Sequence, residues 1–187
     1  MKWGICVNKQ LRHLIRSENI IKSDEVGKGN LCLIAVSGFY EWKNVNNNKK
    51  PHYFYCKNRK IMYLAGIFSM RNEHMEFSLI TTESIGIISV IASRMPIIFY
   101  DDQDAFTYLD SCKESREVIY QRVLKEAYKV KYTCLAYYQV SSYVNSTKNN
   151  DENCIKGLLK NNPDEADLDF SICEYDETDC MDNSWMA

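Results

Sequence analysis

The run Leu31-Cys32-Leu33-Ile34-Ala35-Val36 meets Gly38-Phe39-Tyr40-Glu41-Trp42 across a single serine, and that junction constrains the fold more than any other feature. Six apolar residues in a row are short for a buried helix and well suited to a buried strand. Gly38 interrupts the run, and a second extended piece follows over 39–43. Further β-type runs come at 52–56, 61–68 and 75–82, separated by polar turns. The Asn/Lys-rich stretch 44–50 reads as a hairpin tip, and Gly27-Lys28-Gly29-Asn30 as the turn feeding the first long strand. Lys2-Trp3-Gly4-Ile5-Cys6-Val7 reads as a short strand, residues 8–21 as irregular, and 131–140 as the last strong strand.

Two helices are predicted near the C-terminal half. Asp101 or Asp102 caps one that runs to Leu109, with Ala105, Phe106 and Leu109 at helical spacing. A longer amphipathic helix spans 113–128, with Val118, Ile119, Val123 and Ala127 along one side. The segment 84–91 fits a helix or a strand. The pattern is that of a strand-rich α+β domain over 1–158.

At 187 residues the chain suffices for one domain with a real core. No run approaches the roughly 20 apolar residues of a membrane span. The N-terminus shows no signal-peptide pattern, so an intracellular protein is expected, nuclear in a eukaryote. Eight cysteines at scattered spacings form no CxxC and no Cys/His ligand set. Reduced, packed thiols are expected, with no metal and no cofactor. His13, His52 and His74 are isolated and suggest no metal site. Residues 161–187 hold nine acidic residues and no Lys or Arg, leaving a net charge of +7 on residues 1–160. A basic body favours a polyanionic partner. The acidic stretch 159–187 reads as a disordered tail, either merely solvated or able to bind an unknown protein partner.

Glu41 is a lone carboxylate among Phe39, Tyr40 and Trp42. Partial burial raises a carboxyl pKa, and a group so tuned moves protons near neutral pH. An exposed Glu on a strand with an aromatic far side is the other reading.

Four segments then occur in order. They are Cys32 to Trp42 as quoted, Leu64-Ala65-Gly66-Ile67-Phe68, Ile80-Thr81-Thr82-Glu83 leading to Ser93-Arg94-Met95-Pro96, and Val140-Ser141-Ser142-Tyr143-Val144-Asn145-Ser146-Thr147-Lys148-Asn149-Asn150. Together they resemble the SOS response-associated peptidase family over roughly 2–159. The resemblance implies a mixed or antiparallel barrel-like sheet with flanking helices. It also implies binding of single-stranded or junction DNA and covalent reaction with the ring-opened aldehyde of an abasic site. In that reaction an amino-terminal cysteine adds its amine and thiol to the aldehyde and closes a thiazolidine. An asparagine and a histidine position and protonate the sugar, and a glutamate moves protons.

Carried onto this sequence, the glutamate is Glu41, the catalytic position retained. Arg16, in Leu14-Ile15-Arg16-Ser17-Glu18, matches the arginine of an Asn-x-Arg segment, with Leu14 in place of the asparagine. Ala92 stands where a His-x-Arg-Met-Pro segment has its histidine, and Thr81 matches a site-lining threonine. DNA contacts are expected from Arg16, Arg94, Trp3, Trp42 and Thr81, although Arg94 also suits a loop brace and Thr81 a strand end. Trp3-Gly4 matches a segment inside the family domain, so the N-terminal part of that domain is expected to be missing. Cys6 lies within the chain, lacks a free amine and cannot close the ring. Binding at abasic sites without stable crosslinking is the expected function; a competent crosslinking enzyme whose start is absent from this sequence is the alternative.

Overall fold

The computed structural model describes residues 1–7, 9–22, 30–58, 61–71, 73–129 and 135–158. The Gly27-Lys28-Gly29 turn and the acidic stretch 159–187 lie outside the described residues, as does the start of the strand expected from 131.

The long apolar runs become antiparallel strands. β5 (Asn30–Val36) pairs with β8 (Met62–Arg71), and β8 with β9 (His74–Glu83). Three short strands fill the N-terminal stretch: β1 (Lys2–Trp3), β3 (Gln10–Arg12) and β4 (Leu14–Arg16), with β2 (Ile5–Val7) paired to β3 in a hairpin. β1 and β4 both lie parallel to β9, end to end along it. β10 (Arg94–Pro96) and β11 (Ile98–Phe99) complete a seven-stranded mixed sheet. Residues 9–21, of the stretch expected to be irregular, are therefore largely regular, residue 8 lying outside the described residues, and α1 (Asn19–Lys22) follows β4. Strands of two or three residues carry no readable alternation, and their partner on β9 lies more than 60 residues downstream.

A second sheet begins where Ser37 ends β5. β6 (Gly38–Val45), β7 (Asn48–Cys56) and β12 (Leu135–Gln139) form an antiparallel triple in the order β12-β7-β6. Asn46 and Asn47 make the β6–β7 turn with φ of 51° and 64°. That left-handed pair is the signature of the tight turn matching strand twist, and asparagine tolerates it. The expected loop at 44–50 is thus mostly strand. One core serves both sheets: Phe54, Cys56 and Leu135 join Leu64, Ile67, Ile80 and Phe99 in a single buried cluster.

α2 (Asp102–Asp110) is capped by Asp101, whose carboxylate accepts from the Gln103 and Asp104 amides at 2.8 and 3.2 Å. Its buried residues are Ala105 and Tyr108; Phe106 faces out. α3 (Arg116–Lys129) buries Ile119, Val123 and Ala127 at i, i+4 and i+8, while Val118 is exposed. Residues 86–90 form a 3-10 helix. α1 packs against α3, and α2 against β5 and β11. Among the described residues no helix is long and apolar enough to cross a membrane, and no cluster of three or more His, Cys, Asp or Glu is placed to hold a metal.

Candidate nucleic-acid interface

Paired residues of a β-ladder project to the same face, and alternate residues of one strand share it. Along β9 the partners are Trp3 opposite Phe77, Leu14 opposite Leu79 and Arg16 opposite Thr81. These three therefore line one face in sequence, spanning about 13 Å at the usual rise per residue. All three are exposed, Trp3 at 50% and Leu14 at 54%. The same face continues across β9 through Phe68 opposite Phe77, and ends at Arg94 opposite Glu83.

The edge is pinned by specific bonds. The Gly4 amide donates to Phe77 O at 2.7 Å, from a backbone at φ 111° that suits glycine. Ser78 Oγ donates to Arg12 O at 2.6 Å and accepts from the Ile5 amide at 3.2 Å. Trp3 Nε1 donates to His13 O at 2.9 Å, and its ring meets the His13 imidazole edge-on at 5.5 Å. The indole is held by one edge while half its surface stays open.

Arg94 is anchored where Arg16 is open. Its Nη1 and Nη2 reach the two Glu18 carboxylate oxygens at 3.2 and 3.1 Å. Nη2 also donates to Thr81 O at 2.7 Å, and Nε to Thr81 Oγ1 at 3.3 Å. Four of the five guanidinium N–H groups are thus directed at protein atoms. Partial burial pushes the Glu18 carboxyl up, but the Arg94 bonds and charge, with Arg16, outweigh it and hold the group below its ordinary range. Thr81 is buried and acts within this brace.

Glu41 lies on the second sheet. In the β6–β7 ladder it faces His52, between the Lys43–Lys50 rung toward the tip and the Phe39–Phe54 rung toward the core. Phe39 and Phe54 stack at 5.2 Å, fixing this as the inner face. Burial pushes the Glu41 carboxyl up to about 7, against an opposing hydrogen bond from the Trp42 backbone. His52 is buried, its Nδ1 lies 3.0 Å from Lys50 O, and its ring meets Tyr137 at 5.7 Å. A carbonyl only accepts, so Nδ1 carries a proton. Trp42 points to the opposite face, where its Nε1 donates to Asn145 Oδ1 at 2.8 Å.

A family model for the SOS response-associated peptidases matches residues 9–147. The chain belongs to the SOS response-associated peptidase family. Among curated relatives, the abasic site processing protein YMR114C of Saccharomyces cerevisiae is 27% identical over 161 residues, covering 81% of this chain and 43% of that protein. The abasic site processing protein HMCES of Xenopus tropicalis is 24% identical, over 76% of this chain and 48% of the relative. The chain spans about half the length of these relatives. A solved protein from Bacteroides thetaiotaomicron shares the fold, with a TM-score of 0.62 at 20% identity, covering 78% of this chain and 66% of that one.

In this member of the family, Trp3, Leu14, Arg16, Thr81 and Arg94 come together on the first sheet, while Glu41 and Trp42 sit on the second. Ala92 ends the turn after the 3-10 helix, its amide donating to Ile88 O at 3.0 Å. Sequence reasoning missed Glu18 as the partner of Arg94, Asn145 as the partner of Trp42, and His52 as the residue opposite Glu41. The last was recoverable: a two-residue turn at Asn46-Asn47 sets the register that places residue 52 across from 41.

The C-terminal segment closes the far face of the second sheet. Tyr40 Oη donates to Cys154 O at 3.3 Å, Tyr138 Oη to Ile155 O at 2.7 Å, and Tyr143 Oη to the Asp151 carboxylate at 2.8 Å. With Trp42 and Asn145, these bonds make the segment 140–155, which includes the family motif, a strap across an aromatic surface of Tyr40, Tyr53 and Tyr138.

Proposed function

We propose that this chain binds single-stranded or junction DNA at abasic sites and holds it without forming a stable crosslink. The observation that carries this reading is the exposed succession Trp3, Leu14, Arg16 on one face beside β9. An open indole suits stacking with a base, and the exposed Arg16 guanidinium suits a phosphate. Arg94 serves this face mainly by bracing the Arg16 segment through Glu18. Trp42 offers a second, partly covered ring. The names of the curated relatives supply the lesion.

Leu14 and Ala92 are apolar where the resemblance implies an amide and an imidazole, which supports binding over crosslinking. Cys6 supports it too: its nitrogen is a peptide nitrogen within β2, so its thiol has no neighbouring amine. In this reading residues 1–158 act as one domain, in the intracellular compartment that holds DNA, and the acidic stretch 159–187 is a solvated tail or a peptide for a protein partner. A second reading, stable crosslinking by an amino-terminal cysteine, is favoured by family membership and by the raised pKa of Glu41.

The test is a gel shift with an abasic single-stranded oligonucleotide over a salt series, then denaturing electrophoresis with and without borohydride. Salt-dependent binding with no denaturation-resistant band is expected. A resistant band without reductant establishes the second reading instead, and loss of binding at every salt concentration removes both.

A further inference from the structure

The face beside β9 is wider and more apolar than the succession Trp3, Leu14 and Arg16 alone. Phe68 stands opposite Phe77 and Met70 opposite Met75, so two further rungs extend it past Trp3. Met70, Met75, Trp3 and Leu14 are all exposed, while Phe68 and Phe77 are half-buried. A contiguous apolar patch of this kind, rimmed by charge, marks a docking surface. The rim is basic. Residues 1–22, which supply β1 to β4 and α1, hold Lys2, Lys9, Arg12, Arg16 and Lys22 against the single acidic residue Glu18. That is a net +4 of the +7 carried by residues 1–160.

The same chain carries a counterpart. Residues 161–187 hold nine Asp or Glu and no Lys or Arg. Their carboxylates are interleaved with rings and apolar groups, as in Asp167-Leu168-Asp169-Phe170-Ser171-Ile172-Cys173-Glu174-Tyr175-Asp176. Such a stretch presents what a single strand presents to this face, negative charge for Arg16 and flat rings for Trp3. Its length suffices to reach there. Leu158 is held at β12, its amide donating to Gln139 O at 3.0 Å, and residues 159–187 follow it. Fully extended, those residues reach about 95 Å, several times the radius of gyration of roughly 15 Å expected for a body of this size.

We propose that the acidic stretch 161–187 docks on the Trp3–Leu14–Arg16 face of its own chain and competes there with single-stranded DNA. This rests on the reading of that face as the DNA-binding surface, and it gives the tail a regulatory task beyond solvation. The competitor is intramolecular, so its effective concentration is fixed by the chain that ties it to Leu158 rather than by the amount of protein. DNA binds only the undocked fraction, and its apparent affinity falls by that factor. The interleaved rings separate docking from plain repulsion. Carboxylates alone would repel a phosphate backbone from any position on the surface, whereas Phe170 and Tyr175 act only by occupying the apolar face.

The test compares the full chain with two full-length variants, each shown folded by a thermal melt, in binding a single-stranded oligonucleotide with one abasic site. Asp167→Asn, Asp169→Asn, Glu174→Gln, Asp176→Asn and Glu177→Gln together are expected to raise affinity at least about tenfold at low salt. Phe170→Ser with Tyr175→Ser leaves every charge in place and is expected to raise it about threefold or more. A ring variant equal to wild type means that charge acts without docking, and refutes the proposal. Carbodiimide joins a carboxylate to a touching amine, and without DNA it is expected to link tail Asp or Glu to Lys2, Lys9 or Lys22. A saturating oligonucleotide is expected to suppress those links. Mixed isotope-labelled chains tell links within one chain from links between two; links only between chains assign the face to a second copy and refute the proposal, as does the absence of any link. If the wild-type chain shifts the oligonucleotide and neither variant binds tighter, docking is refuted while the binding reading stands. If no chain binds the oligonucleotide, the binding reading falls and the competition with it.

Discussion

Arg94 holds Glu18 with both terminal nitrogens while its remaining bonds go to Thr81, so one guanidinium joins the segment after β4 to the end of β9. Arg16, two residues before Glu18, is exposed with its side chain on the face shared by Trp3. The two arginines, alike by motif, are set apart by their partners.

Arg16→Ala is therefore expected to weaken binding of single-stranded DNA and to lower the slope of log K against log salt by about 0.7. Arg94→Ala is expected to lower stability by about 1 kcal/mol, the modest value suiting a pair that is partly exposed, with little change in slope. Fluorescence anisotropy over a salt series and urea unfolding read the two effects separately.

Trp3→Ala is expected to cost about 1–3 kcal/mol of DNA affinity, as for loss of one stacked base. Trp3→Phe recovers part of it, since a ring remains but the bond to His13 O is lost. Titration at one fixed salt concentration checks this pair.

The raised pKa of Glu41 makes its contribution to stability depend on pH. The folded state keeps this proton up to about 7, while the unfolded chain releases it near the ordinary value of 4.5. Stability from this group is fully present below about 4.5 and is lost as pH rises through 7. Glu41→Gln is thus expected to be nearly neutral at pH 4 and stabilising by a few kcal/mol at most at pH 8, roughly the worth of the shift. Urea unfolding of both proteins at the two pH values measures it.

Gly38→Ala is expected to disrupt the second sheet. An added Cβ would collide with the Tyr53 ring and with Phe54 O, and a backbone oxygen cannot rotate away. A loss of about 3 kcal/mol or more in thermal or chemical unfolding is expected.

Asn145→Ala removes the acceptor for Trp42 Nε1 and is expected to cost about 1 kcal/mol. Hydrogen exchange is expected to rise in 142–154 ahead of the β5–β8–β9 strands. Equal protection in wild type and variant counts against the strap.

The long elements were legible because their apolar runs exceed any turn: β5, β8 and β9 stand within a few residues of their expected bounds. β1, β3 and β4 were not, because strands this short owe their geometry to β9 rather than to their own residues. In the helices, Ala105, Ile119, Val123 and Ala127 were read correctly, whereas Phe106 and Val118 are apolar residues turned outward. At the candidate site, motif position singled out Arg16 and Arg94 without distinguishing their states, because Glu18 meets Arg94 only in the fold. His52 was passed over as isolated because the hairpin tip was read as a loop, which leaves strand register undefined.

The end-to-end docking of β1 and β4 on β9 has a consequence for biosynthesis. β1 and β4 are synthesised before the edge they join, since their partner strand is complete only once Glu83 has been made. Until then Trp3 and Leu14 lack the β9 residues they pair with, and chain closure here is a late event spanning more than 60 residues. Slowing translation before residue 83 would prolong that interval, and chaperone demand should follow it.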